Sequence, residues 1–257
     1  MQKKKGQQEK PGTYSSGDPG YEIRESAVFI ADAHYPHHGE ELSVVFDILE
    51  SGKIRTSQLF LMGDIFDLLF GYSEYILEFT HPLVEKLRRL SRKMEICYLE
   101  GNHDFLLKDI FPGIHIVPRH LQPVTMRMGT DRVMLSHGDR YATGYVYDFY
   151  SRILRTQWML SLLRPLEKWV IDRQISRLAK KDICKDFPGF RARAEEIMRR
   201  YPEDVSLVVE GHFHQGVRLG RYISLPSLAC QKQVGIVRNG EIVFRGIGEL
   251  LEEAEKA

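Results

Sequence analysis

Thiols are scarce in this chain. Its three cysteines, Cys97, Cys184 and Cys230, are an odd number without the close spacing of a thiolate metal site, so they are expected to be packing residues in a reducing compartment, not a disulfide framework. Long apolar runs are missing too. The most apolar stretch, Trp158 to Ile171, is broken by Arg164, Pro165, Glu167 and Lys168, which excludes a membrane-spanning helix there. Charge of one sign is also lacking: 36 basic against 35 acidic residues leave a formal charge of +1, which gives no general case for a nucleic-acid partner. Met1-Gln2-Lys3-Lys4-Lys5 resembles the start of a signal peptide, but the polar, glycine-rich residues 6–20 supply no apolar segment after it, so no export signal is expected.

What the chain does have is a repeated unit of short apolar strand and polar loop. Ala27-Val28-Phe29-Ile30-Ala31 stops at Asp32, and Leu59-Phe60-Leu61-Met62 runs into Gly63-Asp64. Ile96-Cys97-Tyr98-Leu99 leads to Gly101-Asn102, Val133-Met134-Leu135 to Ser136-His137, and Leu207-Val208-Val209 to Gly211-His212. Continuous apolar runs of this length suit strands buried on both faces. Helical patterns over Leu42–Leu49 and about Ile76–Leu90 alternate with the first strands, as in layered α/β proteins. Ligands at the C-terminal ends of such strands converge on one edge of a sheet. Near the end of the chain, Val234 to Arg238 and Glu241 to Phe244 are joined by Asn239-Gly240, a two-residue hairpin turn; this hairpin is expected to extend a second sheet.

The loops carry oxygen and imidazole donors and no thiolate, a donor set for divalent ions such as Mn, Fe or Zn. Two such ions about 3.5–4 Å apart acidify a water enough to attack phosphorus near neutral pH. Asp64 is the expected bridge. The first ion is assigned to Asp32, His34, Asp64 and His214, the second to Asp64, Asn102, His137 and His212. Asp32 with His34, and His212 with His214, are alternate residues of loops expected to be extended. His103, beside Asn102, is the candidate general acid or phosphoryl-oxygen donor, with the Asp67 carboxylate orienting it. Asp104 and Asp139 are read as supports of the ligands, and His37, His38, His81, His115 and His120 as surface or turn residues.

Residues 1–22 have the composition of a flexible tail. Residues 23–144 and 202–250 then form the catalytic core, and 145–201 a helical insertion of three helices, the first marked by the row Tyr150, Leu154, Trp158 and Leu162. Between Ser151 and Lys181 eight basic residues face only Glu167 and Asp172. Basic side chains beside Trp and Leu suit an anionic membrane surface and acyl chains.

The series Asp32-x-His34, Gly63-Asp64-x-x-Asp67, Gly101-Asn102-His103-Asp104, His137 and Gly211-His212-x-His214 resembles the calcineurin-like metallophosphoesterase superfamily. The likeness covers about residues 27–245. Within it, Gly101 to Phe105, His137-Gly138-Asp139 and the basic helical insertion are most similar to UDP-2,3-diacylglucosamine hydrolases of lipid A biosynthesis. The resemblance implies a four-layer α-β-β-α sandwich with a helical cap, two Mn ions, and cleavage of a lipid-linked nucleotide to UMP and 2,3-diacylglucosamine 1-phosphate. The site of action would be the cytoplasm, peripheral on the inner membrane face, with no nucleic acid as partner. This chain departs from the better-known members at His103, where they have Arg, and at Tyr35-Pro36, where Leu usually follows the first motif. A phosphodiesterase or nuclease acting on soluble nucleotides is the alternative, and a scaffold that lost catalysis is the third possibility.

Overall fold

The computed structural model describes residues 21–71, 73–142, 164–185 and 187–256, and residues 153, 156, 158, 161 and 162 singly. The first 20 residues of the expected tail lie outside this set, as do Tyr150 and Leu154 of the expected helical row. Residues ahead of the first apolar run are already packed. Tyr21 and Ile23 are buried, and Glu22 bridges to Arg127.

In chain order the elements are β1 (Val28–Ile30), α1 (Glu41–Ser51), β2 (Gln58–Leu61), β3 (Leu69–Phe70), α2 (Glu74–Leu90), β4 (Glu95–Leu99), β5 (Asp104–Phe105) and β6 (His115–Val117). The second half holds β7 (Val124–Met128), β8 (Asp131–Ser136), α3 (Asp139–Ala142), α4 (Glu167–Leu178), α5 (Phe190–Met198), β9 (Leu207–Glu210), β10 (Val217–Leu219) and β11 (Tyr222–Ser224). Then follow α6 (Leu228–Gln231), β12 (Gln233–Arg238), β13 (Glu241–Gly246) and α7 (Ile247–Lys256). A six-stranded sheet has the order β13-β12-β1-β2-β4-β6, a five-stranded sheet the order β10-β11-β9-β8-β7, and β3 pairs with β5.

Alternation along the strands builds four layers. Val28, Ile30, Leu59, Leu61, Ile96 and Tyr98 face α1, α2 and α7, packing on Leu42, Phe46, Leu83, Leu87 and Leu250. Phe29, Phe60, Cys97 and Leu99 point the other way, onto Val133, Leu135, Val209 and Ile223 of the second sheet. Met134, Val208 and Tyr222 on the far face of that sheet pack on Phe190, Ala194 and Ile197 of α5. Each strand therefore contributes to two cores, which is why its sequence is apolar without interruption. The α-β-β-α sandwich is the expected one.

Two expectations are corrected here. The β12–β13 hairpin, turning at Asn239 and Gly240 with φ of 54° and 75°, does not extend the second sheet. β12 lies antiparallel against β1 in the first, with β13 as the edge strand outside it, because Ser227 bridges to Ala31 and brings the chain back across before α6. Cys184 and Cys230 are not separate packing residues; they form a disulfide with Cα atoms 5.3 Å apart. Their 46-residue separation hides this, since the segment after α4 folds back beside α6. Composition therefore carries no argument about redox compartment, and Cys97 alone is a free, buried thiol.

The insertion also differs from a simple lid. α5, its third expected helix, is the outer layer over the second sheet. α4 lies at the rim of the site, where Ile171 joins the first core and Asp172 accepts a 2.7 Å hydrogen bond from Tyr75 at the start of α2. Among the described residues no helix is long and apolar enough to cross a membrane.

Candidate metal centre

The strand ends bring the polar loops to one edge between the two sheets. Asp32, His34 and His214 form one group whose ligand atoms all lie within 4.8 Å of one another; Asp64, His137 and His212 form a second. Asn102 adjoins the second group, its Oδ1 being 3.2 Å from His137 Nε2. His212 and His214, only two residues apart, thus belong to different groups. The loops are not extended as expected. Asp32, His34, Asp64, His212 and His214 all have φ between 46° and 64°, the left-handed region that residues with a Cβ rarely occupy.

Backbone groups aim the rings. His137 Nδ1 lies 2.9 Å from the Met62 carbonyl, His214 Nδ1 2.9 Å from that of Ile183, and His103 Nδ1 2.8 Å from that of Asp67. In each ring Nε2 is left facing a carboxylate: 3.5 Å from Asp64 for His137, 3.3 Å from Asp32 for His214, and 3.9 Å from Asp64 for His103. A carbonyl on Nδ1 keeps the proton there, so that it is Nε2 that presents a lone pair once the ring is unprotonated. Asp64 is held as well, with Oδ1 accepting from the His103 backbone N–H at 2.9 Å. Beneath it Asp104 accepts from the N–H groups of Asp64, Ile65 and Gly101 and from the Tyr98 hydroxyl, at 2.6–3.0 Å. This one carboxylate ties two of the ligand loops together, as a supporting residue should.

The glycines have a steric purpose. A Cβ on Gly63 would stand 2.4 Å from His137 Nδ1, and one on Gly101 would stand 2.2 Å from Asp64 Oδ1. The backbone is bare where the ligands pass.

Burial and charge set the protonation states. Burial opposes the charge on His137, yet Asp64 beside it, with Asp139 and Asp32 behind, holds it well above the ordinary imidazole range. Burial works against His214 in the same way and Asp32 outweighs it, so its pKa is raised. Burial alone dominates His34 and His212, which fall to about 3 and about 4. Asp64, although buried, is held well below the usual carboxylate range by His137 and His103. The donor set fits divalent cations. Asp32 Oδ1 and His34 Nε2 are buried without a hydrogen-bond partner, a costly state that a cation in the first group would satisfy.

One expected partnership is corrected. The Asp67 carboxylate does not reach the His103 ring, which rests on the Asp67 carbonyl instead. Its Oδ2 accepts from the backbone N–H of His37 and lies 2.9 Å from His37 Nδ1, while Oδ1 is 3.7 Å from His34 Nδ1. The strand-like pairing of Tyr35 with Phe66 brings His37 and Asp67 together. His37 does sit in a turn and is partly exposed, as expected, but its backbone and its ring both contact Asp67 at the edge of the site. Its proximity to His34 in the run His34-Tyr35-Pro36-His37-His38 was the available signal.

A cleft of about 1170 Å³ opens from Asn102 and His103 toward α4. Its apolar wall includes Leu68, Phe70, Leu77, Phe105, Ile110 and Ile171, and its rim carries Arg164, Arg177 and Lys181. Beyond the rim, Trp158, Leu162, Leu166 and Trp169 are each more than half exposed, with the Arg173 guanidinium 5.6 Å over the Trp169 ring.

The chain is 29% identical over 199 residues to a UDP-2,3-diacylglucosamine hydrolase from Pseudomonas putida, covering 74% of this chain and 78% of the relative. It is 27% identical over 202 residues to the enzyme of the same name from Chromohalobacter salexigens, covering 74% and 80%. Among solved structures, a phosphoesterase from E. coli matches at 15% identity and a TM-score of 0.42, over 86% of this chain and 99% of that one. The calcineurin-like phosphoesterase model matches residues 26–216. With two groups of side chains able to hold a metal ion at the strand ends of an α-β-β-α sandwich, the chain is a hydrolase of the calcineurin-like phosphoesterase family.

Proposed function

We propose that this phosphoesterase cleaves the pyrophosphate of UDP-2,3-diacylglucosamine, giving UMP and 2,3-diacylglucosamine 1-phosphate. The observation that carries the reading is the cleft of about 1170 Å³, apolar along one wall, basic at the rim and open to Asn102 and His103. Its size exceeds that of ordinary small-ligand pockets and suits a substrate with two acyl chains. The names of the relatives that align over three-quarters of the chain support the same substrate.

In this reading Asp32, His34 and His214 would hold one divalent ion and Asn102, His137 and His212 the other, with Asp64 serving both. Mn is the first choice, with Fe or Zn accepted by the same donors. The pair, when bound, supplies an acidified water and neutralises phosphoryl charge. The residues do the rest. Arg177 and Lys181 at the rim attract the diphosphate, and the apolar wall fixes the acyl chains so that the α-phosphorus lies over Asp64. A water oxygen would add to that phosphorus and give up its proton to solvent as the bond to the bridging oxygen breaks; the electron pair leaves on the sugar phosphate, and the new oxygen stays on UMP. His103 turns Nε2 toward the phosphoryl oxygens while the Asp67 carbonyl holds Nδ1. In its imidazolium form, with both ring nitrogens carrying protons, it would donate from Nε2–H to the charge that gathers there.

The exposed Trp158, Leu162, Leu166 and Trp169 beside Arg164, Lys168 and Arg173 support peripheral docking on an anionic bilayer, at the cytoplasmic face of the inner membrane, where a lipid substrate is met. Incubating Mn-loaded protein with UDP-2,3-diacylglucosamine, bis-p-nitrophenyl phosphate and cyclic nucleotides tests the substrate. UMP release at a rate far above hydrolysis of the small esters is expected. Turnover of the small esters alone removes the lipid reading and leaves a soluble phosphodiesterase.

A further inference from the structure

Three of the imidazoles at the site have Nδ1 anchored on a carbonyl, but the anchors differ in kind. Met62 and Asp67, which hold His137 and His103, lie at buried positions on the core. Ile183, which holds His214, belongs to the stretch from Lys180 to Lys185, where every residue except Ile183 is exposed. Little apolar burial keeps that stretch in place. Among the described residues its ends are held before it by the Leu178 carbonyl, 2.9 Å from His38 Nε2, and after it by the bond from Cys184 to Cys230 and the packing of Phe187 on Phe190 and Phe213.

The other end of that bond is firmly seated. Cys230 lies in α6, capped by Ser227, whose Oγ accepts from the Cys230 N–H at 3.1 Å and donates to the Asp32 carbonyl at 2.8 Å. The Ala229 N–H reaches the same carbonyl, and Gln231 Nε2 donates to the His214 carbonyl at 2.5 Å. Cys230 Sγ itself is 3.7 Å from His214 Nδ1. The disulfide thus fastens an exposed segment to a helix built onto the backbone of Asp32 and His214.

We propose that the Cys184–Cys230 disulfide is a redox-dependent clasp that positions His214 for the first metal ion; this rests on the assignment of Asp32, His34 and His214 to that ion. Cys184 is exposed, so a dithiol reductant reaches it. A thiolate of the reductant attacks Cys184 Sγ, the S–S bond breaks and Cys230 leaves as thiolate. The reductant's second thiol then displaces Cys184 and closes a cyclic disulfide, so two electrons pass to the protein and both cysteines end as thiols. With the link gone, the Ile183 carbonyl is no longer held against His214 Nδ1, and the ring loses its fixed tautomer and aim. Loss of such an orienting partner weakens metal binding by about 10- to 100-fold. The second group, anchored on the core, is unaffected.

The test is Mn binding followed calorimetrically on the air-oxidised chain, on the chain reduced with a phosphine and desalted, and on the C184S/C230S double variant. Circular dichroism verifies the fold of each form. Thiol titration after denaturation should count one thiol in the oxidised chain, Cys97, and three in the reduced chain. Three thiols in the oxidised chain overturn the clasp. One Mn site weakened about tenfold or more, equally in the reduced chain and the double variant and insensitive to reductant in the latter, supports it. Two sites of unchanged affinity in both redox forms overturn the clasp while leaving the proposed function intact. No Mn binding to the oxidised chain overturns both. An unfolded double variant leaves the reduced wild-type chain as the deciding comparison.

Discussion

Asp32, His34, Asp64, His212 and His214 share a backbone conformation that costs a residue with a Cβ about 1–2 kcal/mol, and they are the residues whose side chains the site needs. Strain concentrated in this way is sustained only where surrounding contacts over-determine it. The Asp104 carboxylate on the Asp64 loop and the N–H of His212 on Asp32 Oδ2 at 2.8 Å provide such contacts. The arrangement leaves no tolerance for a methyl group at Gly101. Gly101→Ala should lower stability by about 1–3 kcal/mol, seen as a lower melting temperature, and should reduce Mn content, because the new Cβ displaces the Asp64 carboxylate. His103 is different in kind, since its ring belongs to neither group of ligands. His103→Gln should keep the Mn content and lose about 10²- to 10⁴-fold in kcat. Loss of metal along with activity would make His103 a ligand instead.

At the scale of elements, what the sequence announced and what it concealed have separate physical causes. A strand buried on both faces must be apolar at every position, so β1, β2, β4, β8 and β9 are visible as runs. Their polar ends are visible because only ligands or loops can follow such a run. Nothing local records which strand a hairpin will meet. β12 and β13 read correctly as a hairpin, yet their place beside β1 depends on the bridge between Ser227 and Ala31, some 200 residues apart. The pairing of Cys184 with Cys230, and of Asp67 with His37, depends likewise on where distant loops land. α4 shows the converse case. Its charge and aromatic content are plain in the sequence, but which of its residues face outward is not. The structure exposes Trp169, with Leu166 just before the helix, and buries Ile171. Trp169→Ala should therefore leave stability within about 0.5 kcal/mol, as a surface change does. Partition into anionic vesicles should fall about tenfold, the equivalent of roughly 1.5 kcal/mol of lost apolar burial. Co-sedimentation with phosphatidylglycerol vesicles measures it, and unchanged partition removes membrane docking through α4.

For the whole molecule, the buried site is a set of compensated charges that metal must rearrange. Without metal, burial disfavours every ion in it. Asp64 nevertheless remains ionised because His137 and His103 face it, and His137 in turn stays protonated because Asp64 does. Asp32 and His214 form the corresponding pair in the first group. His34 and His212, lowered to about 3 and about 4, are already neutral and cost no proton. A divalent ion needs unprotonated imidazole, so each group must shed the proton of one histidine when it fills. At pH 6, below the ordinary imidazole pKa of about 6.5 and below the raised values of His137 and His214, about two protons should leave per chain as two Mn ions bind. Apparent affinity should therefore rise with pH until both histidines have titrated in the free protein, and become flat above that. Calorimetric titration in two buffers of different ionisation enthalpy reads the proton count directly. His214→Gln should remove one of the two protons together with one strong site, and His137→Gln the other. Binding of two Mn ions at pH 6 with no proton release would mean that His137 and His214 carry no proton in the free protein, and the account of compensated charges would fall; loss of neither site in His137→Gln and His214→Gln would remove them as ligands.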